Sequence, residues 1–245
     1  MSLTETGFPL RVARSTLFKF RWMLAALLSF FLAVWAAIWS VADILQSQGI
    51  ANLDASLDSY SSREQWDHGW SLLEYARELN PWQAEYPFYQ AYFSHNRAQG
   101  SHDPGDNLPE DRTRSLDYFN QALKQRPHWG YVWAQLAETR SDKGDGGKQT
   151  VDALEKALVF APYEPFVLHI ALRVGFNFWE RLDDEPRQKM LSAVRYLLRH
   201  DPKSVIETAL LFEWSEHLRP LLLDARDLEY LDSRLAEIGN NPEVE

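Results

Sequence analysis

The residues that could do chemistry in this chain are histidines and carboxylates, because cysteine is absent. That absence removes disulfides, thiolate metal sites and a cysteine nucleophile together. His95, His102 and Asp103 lie near one another, and Asp103, Asp106, Glu110 and Asp111 crowd the Gly- and Pro-rich stretch from Gly100 to Asp111. Neither an HExxH pair nor the EF-hand alternation of oxygen ligands, with Gly sixth and Glu last, is present. The stretch reads as an exposed charged loop. Gly146-Gly147-Lys148 invites comparison with a phosphate-binding loop, but that motif needs Gly where Asp142 stands and Ser or Thr where Gln149 stands. Asp183-Asp184-Glu185 could pair carboxylates for acid–base work; the run reads instead as a helix start, where acids favour the macrodipole. No Gly-x-Ser-x-Gly elbow occurs. The expectation is a protein without catalysis, cofactor or metal, working through a binding surface.

The elements that position such a surface begin with Trp22–Ala42, a run with no charged side chain between Arg21 and Asp43. As a helix it is roughly 31 Å long at about 1.5 Å per residue, which matches the hydrocarbon core of a bilayer. Arg11, Arg14, Lys19 and Arg21 precede it, with Glu5 the one acid. By the positive-inside rule residues 1–21 form a cytoplasmic tail and the remainder crosses. Ala33-Val34-Trp35 and Ala37-Ile38-Trp39 lack a small-x-small cleavage pattern, so the segment is expected to be an uncleaved signal anchor. Ala25, Ser29, Ala33 and Ala37 recur every four residues as a candidate packing ridge, since close approach over small side chains drives helix association in lipid.

Residues 43–59, with Ile44, Leu45, Ile50, Leu53 and Leu57 on one stripe and Gly49 as the weak point, predict a membrane-proximal helix. Beyond it, Ala76, Ala122 and Ala157 each stand five residues before a proline, and Pro81, Pro127, Pro162 and Pro202 are spaced 46, 35 and 40 residues apart. A small Ala lets two helices approach, and Pro ends one helix and starts the next turn. Periods near 34 residues mark helix–turn–helix arrays. No alternating strand pattern is sustained.

This pattern resembles the tetratricopeptide (TPR) repeat over 60–202. The clearest copy is 130–162, where Trp133, Leu136 and Ala137 fit the first helix and Ala157 and Pro162 the second; Phe119, Ala122 and Pro127 match a preceding second helix. Pro87 departs from the pattern in the first helix before that. Leu168, Ala171 and Pro202 mark a looser third copy, and 203–245 hold capping helices split at Pro220, with Leu221-Leu222-Leu223 covering the last face, then a tail. The fold class expected is all-α, an N-terminal transmembrane helix followed by a TPR-like α-solenoid. The resemblance implies a concave groove lined by first helices. Tyr131, Ala134 and Glu138 would face it in the good copy, and Phe88, Tyr92 and His95 in the one before. Trp66, Trp70, Trp133, Trp179 and Trp214 are expected to pack inside, and Trp82 and Trp129 to be partly exposed.

Charge limits the partners. The first 42 residues carry +3, so the chain's net of −10 leaves −13 beyond them. Such a domain is a poor binder of nucleic acid or anionic lipid. Proteins, cations or neutral sugars remain, and the partners expected are membrane-embedded and periplasmic proteins or a polysaccharide. In layout the chain resembles small anchored TPR proteins of bacterial exopolysaccharide systems, of the VpsP type. That resemblance implies a scaffold in the inner membrane, its C-terminal domain periplasmic, assisting polymer synthesis or export. Rival expectations are an assembly chaperone for exported proteins, as in cytochrome maturation or secretion, and a hydrolase whose carboxylate pair would line a deep pocket.

Overall fold

The structure, a computed structural model, describes residues 9–59, 63–100, 108–142, 144 and 147–240. His102, Asp103 and Asp106, and the tail beyond 240, lie outside the described residues. All regular structure described is helical, with no strand among the described residues. The chain forms two compact units, Met1–Ser56 with Ser62–Trp82 and Leu57–Ser61 with Gln83–Glu245.

In the first unit the apolar run and the membrane-proximal segment are one helix, α1 (Pro9–Ser59). Nothing in the sequence from Trp22 to Ala42 breaks it, because the run lacks proline and glycine. It is long and apolar enough to cross a membrane, and none of its most apolar stretch is buried. Ala25, Ser29, Ala33 and Ala37 are all exposed, as are the bulky residues around them. Helix α2 (Arg63–Leu79) packs against the far end of α1. Leu53, Leu73, Ala76 and Trp66 are buried there. Gly49, expected as a weak point, is instead where the helices cross. A Cβ on Gly69 would lie 2.8 Å from Leu53 Cγ and 2.9 Å from the Gly49 carbonyl oxygen. Only two glycines let the backbones approach this closely.

The second unit runs α3 (Glu85–Gly100), α4 (Leu108–Gln125), α5 (Gly130–Asp142), α6 (Lys148–Phe160), α7 (Pro165–Asn177), α8 (Asp184–His200), α9 (Pro202–Leu211), α10 (Ser215–Leu218) and α11 (Ala225–Asn240). Each of α4 to α8 packs on the helix before and after it. In addition α5 touches α3 and α7, α7 touches α9, and α6 touches α8. Pro165 and Pro202 open α7 and α9 at a position where the missing N–H is no loss. Ala122 and Ala157, the small residues before the turn prolines, are fully buried, as are Phe119, Leu136, Ala137, Leu168 and Ala171. Asp184 and Glu185 occupy the first turn of α8, where the sequence places acids for the macrodipole. Glu110 and Asp111 are a correction. They lie in the first turn of α4 and not in a loop, with Asp111 buried near Arg97 and Arg114.

The tryptophans divide much as their positions imply. Trp66 and Trp214 are buried, Trp70, Trp133 and Trp179 are half-buried, and Trp82 stands almost wholly in solvent. Trp129 is half-buried under the guanidinium of Arg126. At the C-terminal end Leu222 is buried, Leu221 is half-buried against the core and Leu223 is exposed, so two leucines of the three help to close the core. Helix α9 stops at a left-handed Glu213, φ +54°. Its N–H donates to Leu210 O at 3.2 Å, and the N–H of Trp214 donates to Ala209 O at 2.7 Å. These two bonds make a Schellman cap, with glutamate where glycine is usual.

Candidate functional site

Helices α3, α5 and α7 lie side by side, and their residues define the candidate surface. Phe88 is a correction to the expected groove lining: it is buried, its ring between 5.0 and 6.4 Å from those of Tyr89, Tyr92, Phe119, Trp129 and Tyr131. It joins α4 to the start of α5. Ala134 is also interior, packed with Ala157, Val167 and Ile170.

His95 is buried too, and it holds helices together. Its Nε2 lies 3.1 Å from Gln99 Nε2 and its Nδ1 3.2 Å from Thr139 Oγ1, while Thr139 Oγ1 donates to Gln135 O at 2.8 Å. The Gln99 amide nitrogen can only donate, so Nε2 of His95 accepts and Nδ1–H donates to the threonine. Burial lowers the imidazole pKa; Asp142, 3.7 Å away, opposes this, and Arg112 and Arg173 add to it.

Three of the expected residues keep a solvent-facing edge. Tyr92 and Tyr131 are half-buried. Burial pushes the Tyr131 hydroxyl up to about 12, so it stays protonated, and it accepts from Gln135 Nε2 at 3.3 Å. Glu138 receives the guanidinium of Arg173 from α7, through Nε at 2.9 Å and through Nη2. Burial raises the Glu138 carboxyl, and Arg173 pulls it back. Two partners on this surface were not foreseen, Arg173 and Phe166, whose ring lies 5.4 Å from that of Tyr131. A signal for both was present. Each stands 35 residues after its partner, the spacing that also separates Pro127 from Pro162.

No protein-family model matches this chain, and no curated protein matches it. The reading of the surface rests on its own geometry. Between the turns that lead into α5 and α7 lies an open cleft of about 700 Å³, lined by His128, Trp129, Tyr131, Phe160, Glu164 and Phe166 among others. Among the described residues no group of three His, Asp or Glu side chains comes together as metal ligands. What the arrangement offers chemically is a row of ring faces beside one ion pair, a surface suited to holding a chain segment.

Proposed function

We propose that this protein is a single-span, membrane-anchored scaffold. Its second unit is a TPR-like array in which α3, α5, α7 and α9 form the inner layer of first helices, and α4, α6, α8 and α11 the outer layer. The observation that carries this reading is the helix neighbour pattern, in which alternate helices touch as well as successive ones. An array in which each pair buries its apolar face on the next is how such repeats fold. The buried Ala122, Ala157 and Ala171 support it, being the small residues such crossings need. The anchor reading is supported by α1, whose apolar stretch has no partner within the fold to bury it.

The inner layer would hold a helix or extended segment of a partner, through Tyr92, Tyr131, Phe166 and the Glu138–Arg173 pair. The basic flank of α1 supports a cytoplasmic N-terminus and a periplasmic array in a bacterial inner membrane. The layout supports service to an exopolysaccharide machine, without catalysis of glycosyl transfer.

A photo-crosslinking residue at Asn177, exposed on α7, tests the surface, with Arg195 on α8 as reference. Discrete adducts to envelope proteins from position 177 and none from 195 are expected. Equal adducts from both, or none from 177, would remove the docking surface. Unchanged polymer secretion after gene deletion would remove the polysaccharide assignment and leave the chaperone one.

A further inference from the structure

The turn before α5 is filled by the protein's own arginine. Arg126, which directly follows α4 and precedes Pro127, lays its guanidinium 4.6 Å from the centre of the Trp129 ring. It also directs Nη1 to Glu85 Oε1 at 3.4 Å. The turn before α7 has the same layout, with Ala161 directly following α6 and preceding Pro162. The position that carries a guanidinium in one turn carries a methyl group in the next, and Ala161 lines the open cleft of about 700 Å³.

The other components of that first arrangement are present around the vacant place. Ring faces come from Tyr131, Phe160 and Phe166, the last 58% exposed. Among the described residues no cation lies over any of these three rings, whereas Trp129, Trp133, Trp179, Phe178 and Tyr230 each carry one. A carboxylate comes from Glu164, which caps α7 with no side-chain hydrogen bond. No ion pair engages it among the described residues.

From this we infer that the cleft receives an arginine side chain presented by a partner protein, completing in trans what Arg126 completes in cis. The inference rests on the scaffold reading above and names the chemistry of the partner. Arginine is favoured over lysine for a physical reason. The amino end of α7 contributes about half a positive charge beside Glu164, so the local field attracts a point charge only weakly. A guanidinium gains instead from stacking on ring faces and from a forked hydrogen bond to the carboxylate, and it is less strongly hydrated than an ammonium.

The test uses the full chain in detergent micelles at physiological salt, titrated with a labelled peptide alternating glycine and arginine and read by fluorescence anisotropy. Lysine and serine versions of the peptide, and maltohexaose as a neutral glycan, are compared. The arginine peptide should bind at least about threefold tighter than the lysine one. Phe166→Ala and Glu164→Gln should each weaken it by about three- to tenfold. Ala161→Arg should weaken it likewise by filling the cleft from within. Glu229→Gln, an equal loss of charge on the exposed side of α11, should leave binding unchanged. Equal binding of the lysine and arginine peptides, or equal weakening by Glu229→Gln and Glu164→Gln, would mean diffuse attraction to an acidic domain and would overturn the inference. So would Phe166-dependent binding of maltohexaose in place of the peptide, or no peptide binding at all. Crosslinking from Asn177 is independent of the cleft, so adducts there with no arginine preference here would sink this inference alone.

Discussion

Arg173 of α7 binds Glu138 of α5 through two nitrogens that converge on one carboxylate oxygen, 35 residues apart in sequence. The carboxylate is mostly buried and the guanidinium is 42% exposed. Removing one partner should therefore cost more than removing both. Arg173→Ala leaves Glu138 unpaired in a site that already raises its pKa, and about 1–3 kcal/mol of stability should be lost. Arg173→Met with Glu138→Leu should recover at least half of that loss in chemical denaturation. A double variant no more stable than Arg173→Ala would show that the pair does not hold α5 to α7.

Glu213 holds a left-handed conformation that a side chain disfavours by about 1–2 kcal/mol. Glu213→Gly keeps both cap bonds and relieves that conformation, at the expense of a more flexible unfolded chain. A net gain of about 0.5–1 kcal/mol is expected, read as a rise in Tm of a few degrees. A fall in Tm would mean that the Glu213 side chain makes a contact worth more than its backbone strain.

The helices and their turns were legible in the sequence where a residue type has one mechanical use. Proline can open a helix but not continue it, and alanine at a crossing has no side chain to displace, so the turns and the buried Ala122 and Ala157 follow from spacing alone. Gly49 shows the limit of such reading, because a glycine within a helix marks either a weak point or a close crossing. Only the position of Gly69 on the facing helix decides which. The residues of the candidate surface were harder. Helix α3 has neighbours on more than one side, so Phe88 and His95 are buried on faces that no single apolar stripe announces. Arg173 and Phe166 were findable only by carrying the 35-residue period from the prolines to the helices.

His95 gives the unit a dependence on pH. Its folded pKa lies below the ordinary value of 6.5 because burial disfavours the imidazolium. Between the two values the unfolded chain binds the extra proton, so the stability His95 contributes is complete above about pH 6.5 and is lost as pH falls through the folded value. Thermal melts of the full chain at pH 7.5 and 5.5 should show a drop in Tm that is smaller in His95→Gln. An equal drop in both proteins would assign the acid sensitivity to other groups.

Within α1, Ser29 and Ala33 stand in the row of small residues on an exposed helix. If that row meets a membrane partner or a second copy, replacing both with Ile blocks backbone approach while keeping the segment apolar. Self-association or co-purification in membranes should fall at least about threefold with abundance unchanged. Undiminished association would leave α1 as an anchor only.

The proposed scaffold requires α1 to cross a membrane with the second unit on the far side. Because the chain has no cysteine, single cysteines can be introduced without background. Glu216, exposed at α10, and Ser2, before the basic flank, serve as the two positions. Spheroplasts are treated with a membrane-impermeant maleimide before and after lysis. With the proposed topology, Glu216→Cys is labelled in intact spheroplasts and Ser2→Cys only after lysis. Labelling of Glu216→Cys only after lysis would place the array in the cytoplasm and contradict it.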